Sequence, residues 1–214
     1  MNKFEGLRKE YKKHQLAEDK VLSDPLAQFD VWFHEALASG VVEPNAFTLA
    51  TVGENNIPSA RVLLLKGVDS GGFVFYTNYN SDKARNLAEF PVAAMCFLWL
   101  ELERQVRISG PVVKISREES EAYFHTRPRE SQIGAWVSPQ SQVISSRDEI
   151  EQRLGEMMEK YKDTEVIPLP VNWGGYRLQP VEIEFWQGRP NRLHDRLLYT
   201  EHAHAGWLVQ RLAP

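Results

Sequence analysis

Two rhythms of apolar and polar positions run along the chain, and the change from one to the other marks its elements. After Asp24 and Pro25, which suit a helix cap and a first helical position, apolar residues fall at Leu26, Phe29, Trp32, Phe33, Ala36 and Leu37. That is a helical stripe, and Gly40 ends it. From residue 46 the rhythm shortens. The runs "AFTLATV", "SARVLLLKGV", "GGFVFYTN", "VAAMCFLWL" and "RQVRISGPVVKI" are β-rich and are separated by "GENNIP", "DSGG" and "SDKARNLAEFP". Five strands at this spacing predict an antiparallel barrel or sandwich. Two helices follow: "SREESEAYFHTRP" carries a capping box of Ser116 and Glu119 and stops before Pro128. "SSRDEIEQRLGEMMEKY" offers Ser146 and Glu149 as its box, with Ile150, Leu154, Met157 and Tyr161 on one face. Closing strands are predicted around "YRL", "EIEFWQG", "RLHDRLLY" and "GWLVQRL", the last two joined by a turn in "YTEHAHAGW". Residues 1–22 are charged and weakly periodic and read as a mobile arm; residues 23–214 read as a single domain.

Composition narrows the picture. With 214 residues, 43% hydrophobic and 25% charged, the chain can bury one sizeable core. A net charge of -4 provides no overall basic field for nucleic acid or anionic lipid, so any anion binding must be local. The longest apolar run, Val92 to Leu100, is far short of a membrane span, and the first residues lack the apolar middle of a signal peptide. The expectation is a soluble, cytoplasmic chain with neither nucleic-acid nor membrane partners. The single cysteine, Cys96, excludes an intrachain disulfide and reads as a small core residue. Of six histidines only His202 and His204 are close neighbours, so no metal is expected.

The candidate chemistry is cationic and dispersed. In "RPNRLHDRLLY", Arg192, His194 and Arg196 alternate with Leu193 and Asp195, and a strand would put all three on one face. A charged sheet edge would show the same alternation. Arg61 and Lys66 bracket an apolar run an odd number of steps apart, so a strand sends them to opposite faces. Ser81, Asp82 and Lys83 open a helix, where N–H groups and a lysine suit phosphate, although simple capping needs no ligand. Tyr123 and Arg127, four apart, share a helix face, and Ser131 begins the next turn. Together these three suit a phosphate monoester, because guanidinium matches its oxygens two at a time. Gln140 and Ser141 lie in a loop. Rossmann, P-loop and nucleophile-elbow motifs are absent from the sequence. What is left suits a flat, phosphorylated cofactor on an all-β body.

The segment "EFWQGRPNRLHDR" resembles the signature of the pyridoxine/pyridoxamine 5′-phosphate oxidase family. "LRKEY", "RVLLLKG", "FYTN", "LERQVRISG", "YFHTRPRESQIGAWVSPQS", "WGGYR" and "RLAP" resemble it in the same order over nearly the whole chain. The resemblance implies a mainly β FMN-binding split barrel with flanking helices, working as a homodimer with flavin at the subunit interface. It implies oxidation of pyridoxine and pyridoxamine 5′-phosphates to pyridoxal 5′-phosphate, with hydride passing from C4′ to flavin N5 and O2 as final acceptor, giving H2O2. The matched FMN-contacting positions are Arg61, Val62, Leu63, Leu64, Leu65, Lys66, Tyr76, Thr77, Lys83, Gln105, Gln140, Ser141, Trp186 and Arg196. Those matching the substrate site are Lys66, Tyr123, Arg127 and Ser131 for its phosphate, and Arg192, Leu193 and His194 at its ring. Arg192 and His194 are the catalytic pair that the family implies. Arg8, Lys9, Glu10 and Tyr11 match a segment that folds over bound substrate. One departure is Asp82, which stands where many members of the family have a cation before Lys83. A flavin reductase using NAD(P)H and a flavin or pyridoxal phosphate carrier are the rival readings. The monophosphate clamp opposes the first, and the Arg192–His194 pair opposes the second.

Overall fold

The computed structural model describes residues 7, 9–203 and 206–214, so Arg8 and His204 lie outside it. Helix α1 (Pro25–Ala38) starts as expected: the Asp24 side chain accepts from the Leu26 N–H, and Gly40 ends it at φ 69°. Among the described residues ten strands follow, interleaved with four more α-helices: β1 (Ala46–Val52), β2 (Pro58–Leu64), β3 (Gly67–Asp69), β4 (Gly72–Asn78), α2 (Asp82–Glu89), β5 (Val92–Trp99) and β6 (Arg104–Lys114). Then come α3 (Arg117–Thr126), α4 (Arg129–Val137), α5 (Arg147–Lys160), β7 (Trp173–Leu178), β8 (Glu182–Gln187), β9 (Asp195–His202) and β10 (Gly206–Arg211).

All strand pairings are antiparallel. One path runs β10-β9-β8-β6-β5-β1-β2, while β7 joins β6 to β4 and β4 pairs β3. The curl comes from β6. Its first half, Arg104 to Ser109, pairs β8, and its last residues, Val112 to Lys114, pair β7. Gly110 sits at the changeover, where an added Cβ would overlap the Gln179 carbonyl. The atoms it would meet, on Gln179 and Val181, are all backbone and cannot easily retreat. Gly110→Ala is therefore expected to destabilise the protein by about 3 kcal/mol or more, measured by denaturant unfolding; a cost under about 1 kcal/mol would show that the two strands can separate freely.

Alternation places the core. On β1, Phe47 and Leu49 are buried between half-exposed neighbours, and on β5 Met95, Phe97 and Trp99 point inward. Helix α1 covers the opening of the sheet, with Phe29 edge-on to Phe73 at 5.0 Å and Trp32 edge-on to Phe185 at 5.0 Å. The same alternation corrects the reading of Cys96. It occupies the outward phase of β5, half-buried beside Arg107 rather than in the core, and burial raises its thiol pKa. A second apolar cluster of Phe124, Ile133, Val137, Tyr161, Ile167, Leu169 and Trp173 joins α3, α4 and α5 to the sheet.

Three local expectations shift. The Ser116–Glu119 capping box is present. The expected Ser146 box is not: Ser145 takes its place, its N–H and hydroxyl both donating to Glu149. Ser131 lies inside α4 rather than in a turn, because Pro128 begins a new helix that buries Ile133 and Val137, four apart. Ser81 does not cap α2; its hydroxyl donates to the Asn78 carbonyl instead.

Candidate active site

One cavity of about 680 Å³ lies between β2, β4, α3, α4 and the start of β7. Its lining includes Val62, Leu63, Leu64, Lys66, Tyr76, Thr77, Tyr123, Arg127, Ser131 and Gln140, so ten of the twenty-four candidates meet there. Its floor is aromatic. Tyr76 stacks on Tyr123 at 3.9 Å and on Trp173 at 5.3 Å, and burial, then Tyr123, pushes the Tyr76 phenol up to about 12. Arg127 follows the last turn of α3 in extended backbone, with its guanidinium 4.8 Å from the Trp173 ring. Among the described residues its Nη1 is buried without a hydrogen-bond partner, and burial lowers its pKa. An unpartnered buried guanidinium nitrogen is costly unless something anionic completes it.

Lys83 stands behind this cavity, only 6% exposed. Its ammonium reaches Thr77 Oγ1 at 3.1 Å, Ser81 Oγ at 3.2 Å and Gln140 Oε1 at 3.1 Å. All three acceptors are neutral. Burial, then the charge of Arg61, pulls the lysine down to about 8, with Asp82 opposing. Arg61 donates to Leu49 O, Thr51 Oγ1 and Ser59 O and does not line the cavity; burial lowers its pKa as well. Asp82 is exposed and ion-paired with Arg85. Leu65 turns into the core, and Ser141 stands exposed beside Gln140 at φ 66°.

The sign of the Lys83 shift makes a prediction. The unfolded lysine titrates near 10.5, so between about 8 and 10.5 the unfolded chain holds the extra proton. Its burial thus opposes folding below about pH 8, and that penalty fades as pH rises toward 10.5. An anion that needs the ammonium behaves oppositely. Titration of the ligand-free protein with inorganic phosphate is expected to show affinity falling above about pH 8, approaching about tenfold per pH unit, and Lys83→Met should flatten the dependence. A flat wild-type profile would remove Lys83 from anion binding.

The remaining candidates sit elsewhere. Gln105, Trp186 and Arg196 form one cross-strand row on β6, β8 and β9. Arg196 and Arg107 both ion-pair with buried Glu184; burial raises that carboxylate's pKa, the two arginines outweigh it, and the net shift is downward. Arg192 and His194 are not on the strand. Asn191 and Arg192 take left-handed backbone, φ 57° and 62°, in a one-turn helix of Pro190–Arg192, and β9 begins only at Asp195. The expected single face of three cations therefore does not exist. The turn instead brings His194 within 4.6 Å of Trp186, ring to ring, and leaves Leu193 exposed. His194 Nδ1 must accept, because its partner at 3.1 Å is the Arg189 main-chain N–H. That fixes the neutral ring with its proton on Nε2. Burial, then Arg192, lowers its pKa, with Asp195 opposing. Lys9, Glu10, Tyr11, Arg192 and His194 line a second cavity of about 930 Å³.

Sequence reasoning passed over Trp173, although "WGGYR" held a signal. Cβ atoms on Gly174 and Gly175 would overlap Tyr79 and Ile115, so the paired glycines mark a close approach that presses Trp173 against the cavity.

Among solved structures, PhzG of Burkholderia lata, in complex with tetrahydrophenazine-1-carboxylic acid, matches with a TM-score of 0.85 at 30% identity, over 92% of this chain and 95% of that one. A pyridoxamine 5′-phosphate oxidase-related, FMN-binding protein of Nostoc punctiforme shares the fold, with a TM-score of 0.71 at 20% identity over 93% and 98%. The molecule is thus a split β-barrel of the pyridoxamine 5′-phosphate oxidase type. Residues 33–161 match the family described as pyridoxamine 5′-phosphate oxidase, and residues 173–214 the pyridoxine 5′-phosphate oxidase C-terminal dimerisation region. The chain is 53% identical to a pyridoxine/pyridoxamine 5′-phosphate oxidase of Salinibacter ruber and 56% identical to one of Burkholderia ambifaria, over 100% of each. It belongs to the pyridoxine/pyridoxamine 5′-phosphate oxidase family and is an oxidoreductase. Among the described residues no helix is long and apolar enough to cross a membrane.

Proposed function

We propose that this chain oxidises pyridoxine 5′-phosphate and pyridoxamine 5′-phosphate to pyridoxal 5′-phosphate with FMN as cofactor and O2 as final acceptor, giving H2O2. The observation that carries the reading is Arg127, whose buried Nη1 has no partner among the described residues, in a cavity shared with Lys66, Tyr123 and Ser131. Two cations and two hydroxyls converging above stacked aromatic rings suit a phosphate monoester on a flat ring. Lys83 is the test for the cofactor. A buried ammonium whose three hydrogen bonds all go to neutral acceptors, with its pKa lowered, lacks the counter-charge that a second phosphate would supply, and Arg61 adds charge nearby. FMN fits these residues, and when bound it supplies the hydride acceptor and the centre that reacts with O2. The chain supplies placement. Arg127 and Lys66 anchor the substrate's phosphate, neutral His194 offers its Nε2 proton beside Arg192, and Trp186 with Gln105 gives a flat, partly apolar wall.

A homodimer completes this arrangement. The phosphate-directed cavity and the Arg192–His194 cavity share no lining residue. Val62, Val92, Leu98 and Leu208 also stand exposed on the sheet as apolar surface for a second copy. A match to a dimerisation region over residues 173–214 supports the same reading. Cytoplasmic residence and the division into an arm of residues 1–22 and a domain of residues 23–214 belong to this proposal too. The test is the visible spectrum of the FMN-loaded protein under anaerobic conditions, before and after pyridoxine 5′-phosphate. Bleaching, restored by air with release of H2O2, is expected; bleaching by NADH alone would assign a flavin reductase.

A further inference from the structure

Glu103 has a job that neither the barrel nor the matched site residues explain. It sits at the turn from β5 to β6, 4% exposed, with φ 55°. Its main chain already holds the turn to β8, since the carbonyl accepts from Gly188 N at 2.7 Å and from Gln187 Nε2 at 3.2 Å. The carboxylate is left for the N-terminal arm. Oε2 accepts from the main-chain N–H groups of Lys12 at 2.8 Å and Lys13 at 3.1 Å, and Lys9 Nζ lies 4.0 Å from Oε1. Hydrogen bonds to an ionised acceptor are about twice as strong as neutral ones, and these two grip the backbone irrespective of the arm's side chains. Just before the grip, the Tyr11 ring stands edge-on to Trp186 at 5.8 Å and lies 5.9 Å from His194. It rests on Gly188, where a Cβ would come within 2.7 Å of Tyr11 Cγ. The arm so placed forms a wall of the cavity that holds Arg192 and His194.

We propose that Glu103 is a positioning residue: it latches the arm by its main chain so that Tyr11 closes the Arg192–His194 cavity around the substrate. The inference rests on the substrate reading given above. Two variants act from opposite sides. Glu103→Gln keeps the shape but removes the charge. Gly188→Ala leaves Glu103 intact and pushes Tyr11 off its seat. Both are to be studied as FMN-loaded protein, following trypsin cleavage at Lys9, Lys12 and Lys13, flavin content, and steady-state kinetics with pyridoxine 5′-phosphate.

Arm cleavage is expected to quicken by about fivefold or more in both variants, in Glu103→Gln because its two hydrogen bonds to the arm lose their charge and in Gly188→Ala because Tyr11 loses its seat. KM should rise in step, while flavin content stays that of the wild type. Wild-type cleavage rates in both variants would overturn the latch. Faster cleavage with unchanged KM would overturn the positioning role and leave Glu103 a structural anchor. Cleavage needs no turnover, so wild-type protein inert toward pyridoxine 5′-phosphate would sink the substrate reading, and the positioning role with it, separately from any failure of the latch.

Discussion

Arg127→Ala raises the KM for pyridoxine 5′-phosphate by about a hundredfold or more and leaves flavin content unchanged; this is the largest effect expected of any single side chain. Truncating one partner of a desolvated charge pair costs on the order of 2–5 kcal/mol, and Arg127 has the marks of such a partner. Its Nη1 is buried and unpaired, its pKa is lowered by burial, and its plane is held over Trp173 and Phe124. Lysine is a poor substitute, because an ammonium cannot present two parallel N–H groups to one phosphate. Arg127→Lys should therefore recover only part of the loss. Unphosphorylated pyridoxine provides the control, since the variant should handle it no worse than the wild type does. Steady-state kinetics on both substrates decide the matter: a KM within about twofold of wild type would move the phosphate out of this cavity.

The second large effect is on the rate of flavin reduction. Replacing Arg192 or His194 with alanine should slow reduction by pyridoxine 5′-phosphate about a hundredfold, because misplacing reactants by an ångström costs on that order. Reoxidation by O2 should change little, since it needs no substrate contact. The geometry also assigns a direction with pH. His194 is neutral, with Nδ1 accepting from the Arg189 N–H, and its pKa is lowered below the usual 6.5 by burial and by Arg192. Protonation at Nδ1 would break that bond, so reduction in the wild type should weaken only as pH falls below 6.5, and His194→Ala should lose that limb. Stopped-flow half-reactions separate the steps. A normal reduction rate in flavin-loaded, substrate-saturated variants would strike both residues from the catalytic list.

Much of this protein was legible in the order of its residues. β-rich runs bounded by turn residues marked β1, β5 and β8, and the 3.6-residue stripe of Phe29, Trp32, Phe33 and Ala36 marked α1, because both signals are local. The Ser116–Glu119 box was legible for the same reason, its two groups being three residues apart. The family resemblance, carried by short motifs spread over nearly the whole chain, named the site candidates, of which the cavity collects ten.

Other features depended on contacts between distant residues. Alternation says that Cys96 and Phe97 face opposite ways but not which one meets the core, and packing against α1 decided that. Arg192 and His194 alternate as a strand would, yet left-handed backbone at Asn191 and Arg192 delays β9 to Asp195 and aims the histidine at Trp186. The changeover of β6 from β8 to β7, the burial of Lys83 among three neutral acceptors, and the grip of Glu103 on an arm some ninety residues away in the chain have no local signature. The sequence alone determined most of the elements and the family, because those signals lie within a few turns or strands of chain. Tertiary structure decided which side chains are desolvated together, since burial and the pairing of charges are properties of what packs against a residue rather than of its neighbours in the chain.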